Sequence, residues 1–410
     1  MTGLHWFQGY GVELEYMVVN RQTLSVLPVT DRILEAVAGE IVNEVEVGPL
    51  RWSNELVLHV VELKTNGPAP TLTGLAPLFV EHVRKVNAIL EPMGGRLMPS
   101  GMHPWMDPVR ESRLWPHENS PIYDAYNRIF GCQGHGWSNL QSLHLNLPFC
   151  GDREFGRLHG AVRLVLPLLP ALAASSPLLE GRVTGFLDTR LEVYRHNQEK
   201  IPSLAAQVIP EPVFTRSAYE EEILGRLYRD VAPHDPAGVL QEEWVNSRGA
   251  IARFERDTIE IRVIDVQETP AADLAIASAT VAVLQALTAE RWASAEEQMA
   301  WETEPLAALF LDCLRRGEEA VIRDGAYLSA LGFPEATATA GEVWRHLAAE
   351  LLPRGAMEPV VEGALGVILD RGPLARRLLR VLGQTPTRQR LGEVYGTLCE
   401  CLEAGSPFLA

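Results

Sequence analysis

Glu13 and Glu15 stand two residues apart in GVELEYMVVN, a run over 11–20 that alternates early and is rich in β-formers. A strand sends side chains i and i+2 to the same face, so the two carboxylates project together, ~7 Å apart. Two anions on one buried face repel each other and resist losing their water. Bound cations resolve that conflict. A pair of Mg²⁺ ions suits it, because magnesium takes oxygen ligands and keeps waters for substrate phosphates. A solvated strand face is the alternative reading of this pair alone.

Three further segments offer ligands at the same kind of position. Glu62 lies between the apolar Val60-Val61 and Leu63 in a strand-like run over 55–65 (ELVLHVVELKT) that Asn66-Gly67-Pro68 closes. Over 140–149, His144 shares a polar face with Ser142 and Asn146, opposite Leu143, Leu145 and Leu147. Over 258–266, Glu260 and Arg262 lie opposite Ile259, Ile261 and Val263. A lone strand histidine is ordinarily a satisfied core residue, but four strands each presenting such a group point to one metal-phosphate site. Glu55 precedes Glu62 by seven residues, an odd number that sends the two to opposite faces of an unbroken strand. To join the site, Glu55 must sit in the loop leading into the strand, or a bulge must intervene.

The elements that position these groups belong to a chain of 410 residues, long enough for one large domain or two intimate lobes. The spacing predicts helices over 75–90, 271–293 and 342–352, and a helix–turn–helix over 359–383 broken at Gly372-Pro373. The apolar run 164–179 carries Pro167, Pro170 and Pro177 and is too short to span a bilayer, so a buried helix or two short ones is expected. Strands with interposed helices up to about residue 270, then helices alone to 410, describe an α+β protein with a helical C-terminal third. The 53 acidic against 36 basic side chains give a net charge of −17, which excludes nucleic acid or an anionic membrane as a partner held by general electrostatics. The five cysteines are odd in number and scattered, and the amino-terminal stretch lacks the charged and apolar regions of a signal peptide. Both fit a cytoplasmic protein. Cys399 and Cys401 read as packing, and no cysteine sits in a nucleophile setting.

A P-loop, a G-x-G-x-x-G after a strand, an H-E-x-x-H and a G-x-S-x-G are all missing from the sequence. What is present resembles the second, bacterial and archaeal family of glutamate–cysteine ligases, a carboxylate–amine ligase family. The resemblance lies in Gly11-Val12-Glu13-Leu14-Glu15, the run 55–65, His103-Pro104-Trp105, Gln141-Ser142-Leu143-His144, residues 173–190, and Ile259-Glu260-Ile261-Arg262. The late Arg371-Gly372-Pro373 with Arg376-Arg377 completes the ordered set.

The resemblance implies a single catalytic domain over 1–410 of glutamine-synthetase-like type: an antiparallel sheet curved into a funnel, helices outside, and residues 271–410 packed on it. It implies that Glu13, His144 and Glu260 hold the metal bridging the ATP phosphates, and that Glu15, Glu55 and Glu62 surround a second metal nearer the amino-acid substrate. The family keeps the seven-residue interval, which supports Glu55. The cofactor is Mg²⁺ or Mn²⁺, with ATP as co-substrate. Arg262 is expected on the transferred phosphate and Arg190 on substrate or phosphate. Arg248 and Arg253 are expected on the ATP phosphates. Either of those two also reads as a surface cation, and Arg262 also reads as a salt bridge to Glu13 or Glu62. His135 and Trp137 fall in a bend that lines the amino-acid pocket or is merely a turn; His103 and Trp105 fall in a loop near the site mouth. The activity implied is ATP-driven formation of a γ-glutamyl amide, most simply γ-glutamylcysteine for glutathione biosynthesis, by a protein that works alone or as a homo-oligomer. Another amine acceptor, a metal-dependent phosphohydrolase and a noncatalytic ligand-binding descendant are the rivals.

Overall fold

Strand β1 (Gly11–Asn20) is hydrogen-bonded on both sides within an eight-stranded sheet, and each of its faces is buried against something different. The computed structural model describes residues 3–409, so the first two residues of the amino-terminal stretch and Ala410 lie outside it. With β2 (Glu44–Val47), β3 (Leu50–Asn54), β4 (Val60–Thr65), β5 (Gly95–Met98), β6 (Ser142–Pro148), β7 (Ala250–Arg253) and β8 (Thr258–Asp265), the order is β2-β3-β4-β1-β6-β8-β7, and β5 also pairs with β1. Every pairing is antiparallel. The α+β class with an antiparallel sheet is as the sequence indicates.

Val12, Leu14, Tyr16 and Val18 of β1 enter the main core with Leu143, Leu145 and Leu147 of β6 and Ile259 and Ile261 of β8. Helices α1 (Leu75–Leu90), α3 (Gly151–Val165) and α5 (Pro270–Thr288) contribute to the same core. Between the first two lies α2 (Ser120–Phe130), and α4 (Thr189–Tyr194) precedes α5. Helix α5 is apolar on all sides, which marks a helix surrounded by protein. It is the one helix among the described residues long and apolar enough to cross a membrane, and 83% of that window is buried inside the protein.

The opposite face of β1 changes character along its length. Glu13 and Glu15 come first, then Met17 and Val19, which pack with Met98, Leu374, Leu378, Leu391 and Tyr395 in a second core. That core is built by helices α6 (Leu374–Leu382) and α7 (Arg388–Ala404), which also bury Cys399 and Cys401. The C-terminal helices therefore close one end of the acid-bearing face. Arg377 of α6, fully buried, fastens them: it donates to both oxygens of buried Glu268 at 2.6 and 3.2 Å and to the Phe408 carbonyl at 2.7 Å.

One strand differs from expectation, and the apolar run 164–179 takes the form of two short pieces. The strand expected over 55–65 begins only at Val60; residues 55–59 form the connection from β3. The run 164–179 continues α3 to Val165 and then breaks into the short turns Leu166–Leu168 and Pro170–Ala173, each with a proline at its start. Proline lacks the N–H a longer helix needs.

Removing one partner of a buried ion pair strands the other charge. Glu268→Ala should therefore lower the unfolding free energy by about 3–5 kcal/mol, read as a shifted urea midpoint with an unchanged slope. A loss below about 1 kcal/mol would show that the C-terminal helices are held by their apolar contacts alone.

Candidate active site

Strand register brings the singled-out residues together row by row. Across β1 and β4, Glu15 faces Glu62 and Glu13 faces Lys64; across β1 and β6, Glu13 faces His144 and Gly11 faces Asn146. Asn146 in turn faces Glu260 across β6 and β8. Gly11 is needed where it stands, because a Cβ there would lie 2.8 Å from the Cβ of Asn146. That close approach lets Asn146 donate from Nδ2 to Glu13 Oε1 at 3.0 Å. Ser142 holds Glu15 from its backbone N–H (2.8 Å) and its hydroxyl (3.1 Å). Ser53 donates to Glu62 at 2.6 Å and Lys64 pairs with the same oxygen at 2.7 Å.

The ligand atoms fall into two groups, each with its members within 4.8 Å of one another: Glu13, Glu62 and His144, and Glu15, Glu55 and Glu62. Glu62 belongs to both. Glu55 reaches the second group from the β3–β4 connection, which resolves the odd seven-residue interval. Glu260 is not drawn into the first group. Its carboxylate is held by Arg262 at 2.9 Å and Arg253 at 3.4 Å, near enough for its charge to act on both Glu13 and His144. Arg262 thus pairs with Glu260, its own strand neighbour, rather than with Glu13 or Glu62.

The arginines separate. Arg262 and Arg190 both line a cavity of about 380 Å³ together with Glu15, Glu55 and His144. Arg190 is anchored by an ion pair to Asp265, a fully buried residue that also accepts from the Ser175 backbone N–H (2.8 Å) and the Ser176 hydroxyl (2.7 Å). Asp265 follows Glu260 by an odd number, and a bulge between Ile261 and Ile264 restores it to pairing with Ser142. Arg253 stays beside Glu260. Arg248 is not brought to the acids: its buried guanidinium is committed to both oxygens of Glu211 and to the carbonyl of Ser203. Trp137 lines the cavity. His103 is fully buried, bonded to the Leu24 carbonyl at 2.8 Å and edge-on to Trp105, away from the acids.

Sequence reading set Asn146 on the face of His144 without giving it a role, and missed Lys64 and Asp265. Lys64 stands at i+2 from Glu62, so parity could have found it; the bulge hid Asp265.

Electrostatically the site is short of positive charge. Burial and then the fields of Glu15 and Glu62 push Glu55 well above the ordinary carboxylate range. Burial also raises Glu15 and Glu62 despite the opposing pull of His144 and Lys64 respectively. For Glu13, burial is the largest single influence, but the hydrogen bond and charge of His144 together with a hydrogen bond from Glu62 outweigh it, and its value falls. Burial opposes a charged His144, but the bond to Glu13 and the fields of Glu15 and Glu260 prevail and lift it to about 9. The hydrogen bonds agree: Nδ1 faces Glu13 at 3.2 Å, and Nε2 faces the Ser142 hydroxyl at 2.9 Å, whose proton is given to Glu15. Both ring nitrogens therefore donate. The donor set, carboxylates plus one imidazole, suits a hard divalent cation. A second cavity of about 590 Å³ opens beside Glu13, Gly11, Asn146, Pro148 and Arg256.

Comparison with known proteins places these residues in context. The sequence model of glutamate-cysteine ligase family 2 matches residues 10–396. An uncharacterized protein of Archaeoglobus fulgidus is 37% identical over 276 residues, covering 67% of this chain and 74% of that protein. A protein of Rubrobacter xylanophilus provisionally named glutamate–cysteine ligase 2-3 is 28% identical over 45% of this chain and 47% of its own length. The glutamate–cysteine ligase of Halobacterium salinarum is 25% identical over 64% of this chain and 65% of its own. Among these three relatives, the matched segments thus span from about half to three quarters of each relative's length. Among solved structures, the glutamate–cysteine ligase of Francisella tularensis in complex with AMP superposes with a TM-score of 0.56 at 11% identity, over 96% of this chain and 89% of that one. That likeness is one of fold.

An imidazole must be neutral to bind a metal, so cation binding has to expel the proton held on His144 below about pH 9. Affinity for Mn²⁺ should therefore rise with pH from 6 and level off above about 9. Calorimetry at pH 7 in buffers of different ionisation enthalpy should register proton release. A pH-independent affinity with no release would remove His144 from the ligand set.

Proposed function

The chain belongs to glutamate-cysteine ligase family 2, a family of carboxylate–amine ligases, and on that premise we propose that it joins the γ-carboxylate of glutamate to an amine with ATP as the driving reagent. Cysteine, the acceptor in the relatives' names, is the reference acceptor. The observation that carries the reading is the pair of ligand groups that share Glu62, with Glu15, Glu55 and His144 opening on one cavity and Glu13 on the other. Glu13, Glu62 and His144 would hold one Mg²⁺ or Mn²⁺ on the ATP phosphates, and Glu15, Glu55 and Glu62 a second beside the substrate carboxylate. The ions would supply charge neutralisation for the phosphoryl group in transfer.

The protein's own groups then have distinct tasks. The cavity beside Gly11, Asn146 and Pro148 receives the nucleotide, and the one lined by Glu15, Glu55, Arg190 and Arg262 receives glutamate and the amine. A γ-carboxylate oxygen attacks the terminal phosphorus of ATP; its O–P bond forms as the bond to ADP breaks. The amine nitrogen then attacks the γ-carbon and phosphate leaves with the C–O electron pair. Of the two protons shed by the ammonium form of the amine, one ends on phosphate and one in solvent. Arg262, fixed by Glu260, offers a planar fork to the equatorial oxygens of the moving phosphoryl group. Arg190, held by Asp265, orients the substrate carboxylate. Arg253 braces Glu260 and is the remaining candidate for an ATP phosphate. No cysteine enters: burial pushes the Cys132 thiol up to about 12, far from a reactive thiolate.

Glutamate-dependent ADP release that rises when an amine is added tests the reading; ADP release indifferent to amine would make the protein a phosphohydrolase. Contacts that tighten only as the phosphoryl group moves lower the barrier without tightening ground-state binding. Arg262→Lys should therefore reduce kcat roughly 10²-fold or more, while the KM values for ATP and glutamate change much less. Weaker ATP binding with wild-type kcat would make Arg262 a ground-state clamp instead.

A further inference from the structure

The cavity that holds Glu15, Glu55 and Arg262 has a wall that catalysis does not use. Five aromatic side chains line it: Tyr123 and Tyr126 from α2, Trp137 from the turn before β6, Tyr194 from the end of α4, and Trp244 from the turn before β7. Four separate chain segments thus converge. Tyr126 is the hub, its ring centroid 5.0 Å from Trp137 and 6.1 Å from Trp244. Phe130 stacks behind Trp137 at 5.4 Å and stiffens the wall. Behind the wall, the Trp137 indole nitrogen and the Oε1 of Gln198 are buried and without a partner among the described residues.

We infer that the amine acceptor is a neutral-sided amino acid with a flat, apolar side chain, such as phenylalanine or tryptophan, rather than cysteine. The inference rests on the γ-glutamyl ligase reading above. Aromatic faces gain most from a flat apolar partner laid against them, and a CH₂SH group covers little of such a surface. A cationic side chain, the other natural occupant of an aromatic box, is disfavoured because the cavity's two carboxylates, Glu15 and Glu55, are taken by the divalent cation in the reading above and leave nothing to balance it. The covalent step is the acyl transfer already described, with phosphate as the leaving group.

Three measurements on the full chain separate the possibilities. Hydroxylamine is too small to use the wall, so with glutamate and Mg-ATP it should yield γ-glutamyl hydroxamate; no hydroxamate would end both the ligase reading and this inference. In an acceptor panel, kcat/KM for phenylalanine or tryptophan should exceed that for cysteine and alanine roughly tenfold or more, the scale of one aromatic contact plus the apolar area it covers. Hydroxamate formed, but cysteine or alanine used as well as the aromatic acceptors, would overturn this inference alone. Trp244→Leu should narrow the aromatic-to-alanine ratio at least several-fold; an unchanged ratio in a folded variant would also overturn it. The wild-type panel decides the matter should that variant be unstable.

Discussion

Mutual repulsion among Glu13, Glu15, Glu55 and Glu62 is the constraint around which the rest of the molecule is arranged. Three carboxylates on one sheet face and a fourth, Glu55, delivered by a connection crowd together, and most of them are pushed toward protonation by burial and by each other. The protein softens the repulsion with Lys64, a protonated His144 and hydroxyl or amide donors from Ser53, Ser142 and Asn146, yet it does not cancel it. A site left this acidic is unstable in isolation and becomes favourable when a divalent cation arrives, which ties its stability to its function.

The fold can afford that cost because the opposite face of the same strands is apolar. Val12, Leu14, Leu143, Leu145 and Ile261 alternate with the ligands and bury them in register against α1, α3 and α5. The helical C-terminal third closes the far end of the acid face through Met17, Val19 and the second core, and the Arg377–Glu268 pair fixes those helices to the segment that follows β8. The site therefore sits on paired strands rather than on mobile loops, with Glu55 the exception. Arg190 and Arg262 repeat the pattern: each is held by a carboxylate of β8, Asp265 or Glu260, so that its guanidinium is oriented before a substrate arrives.

How much of this was legible in the sequence follows from the period of two. Strand alternation placed Glu13, Glu15, Glu62, His144, Glu260 and Arg262 on common faces, and register did the rest. The helix over 75–90 was readable to the residue from its apolar spacing. Alternation fails wherever the chain departs from a regular strand. Residues 55–59 read as strand because they are apolar, although they form the connection that delivers Glu55. The bulge in β8 concealed Asp265. Sequence proximity also misled: Arg248 lies five residues from Arg253, but β7 and its approach turn it toward Glu211 instead. The partition of ligands into two groups depends on which carboxylate finds a guanidinium, and that is a property of three dimensions.

The central claim is that Glu62 is shared by two cation sites. Counting bound Mn²⁺ per chain by electron paramagnetic resonance, with a non-hydrolysable ATP analogue present, tests it most directly. The account predicts two coupled ions in the wild-type protein, one in Glu55→Gln, and neither held tightly in Glu62→Gln. Two tightly bound ions persisting in a folded Glu62→Gln protein would contradict it.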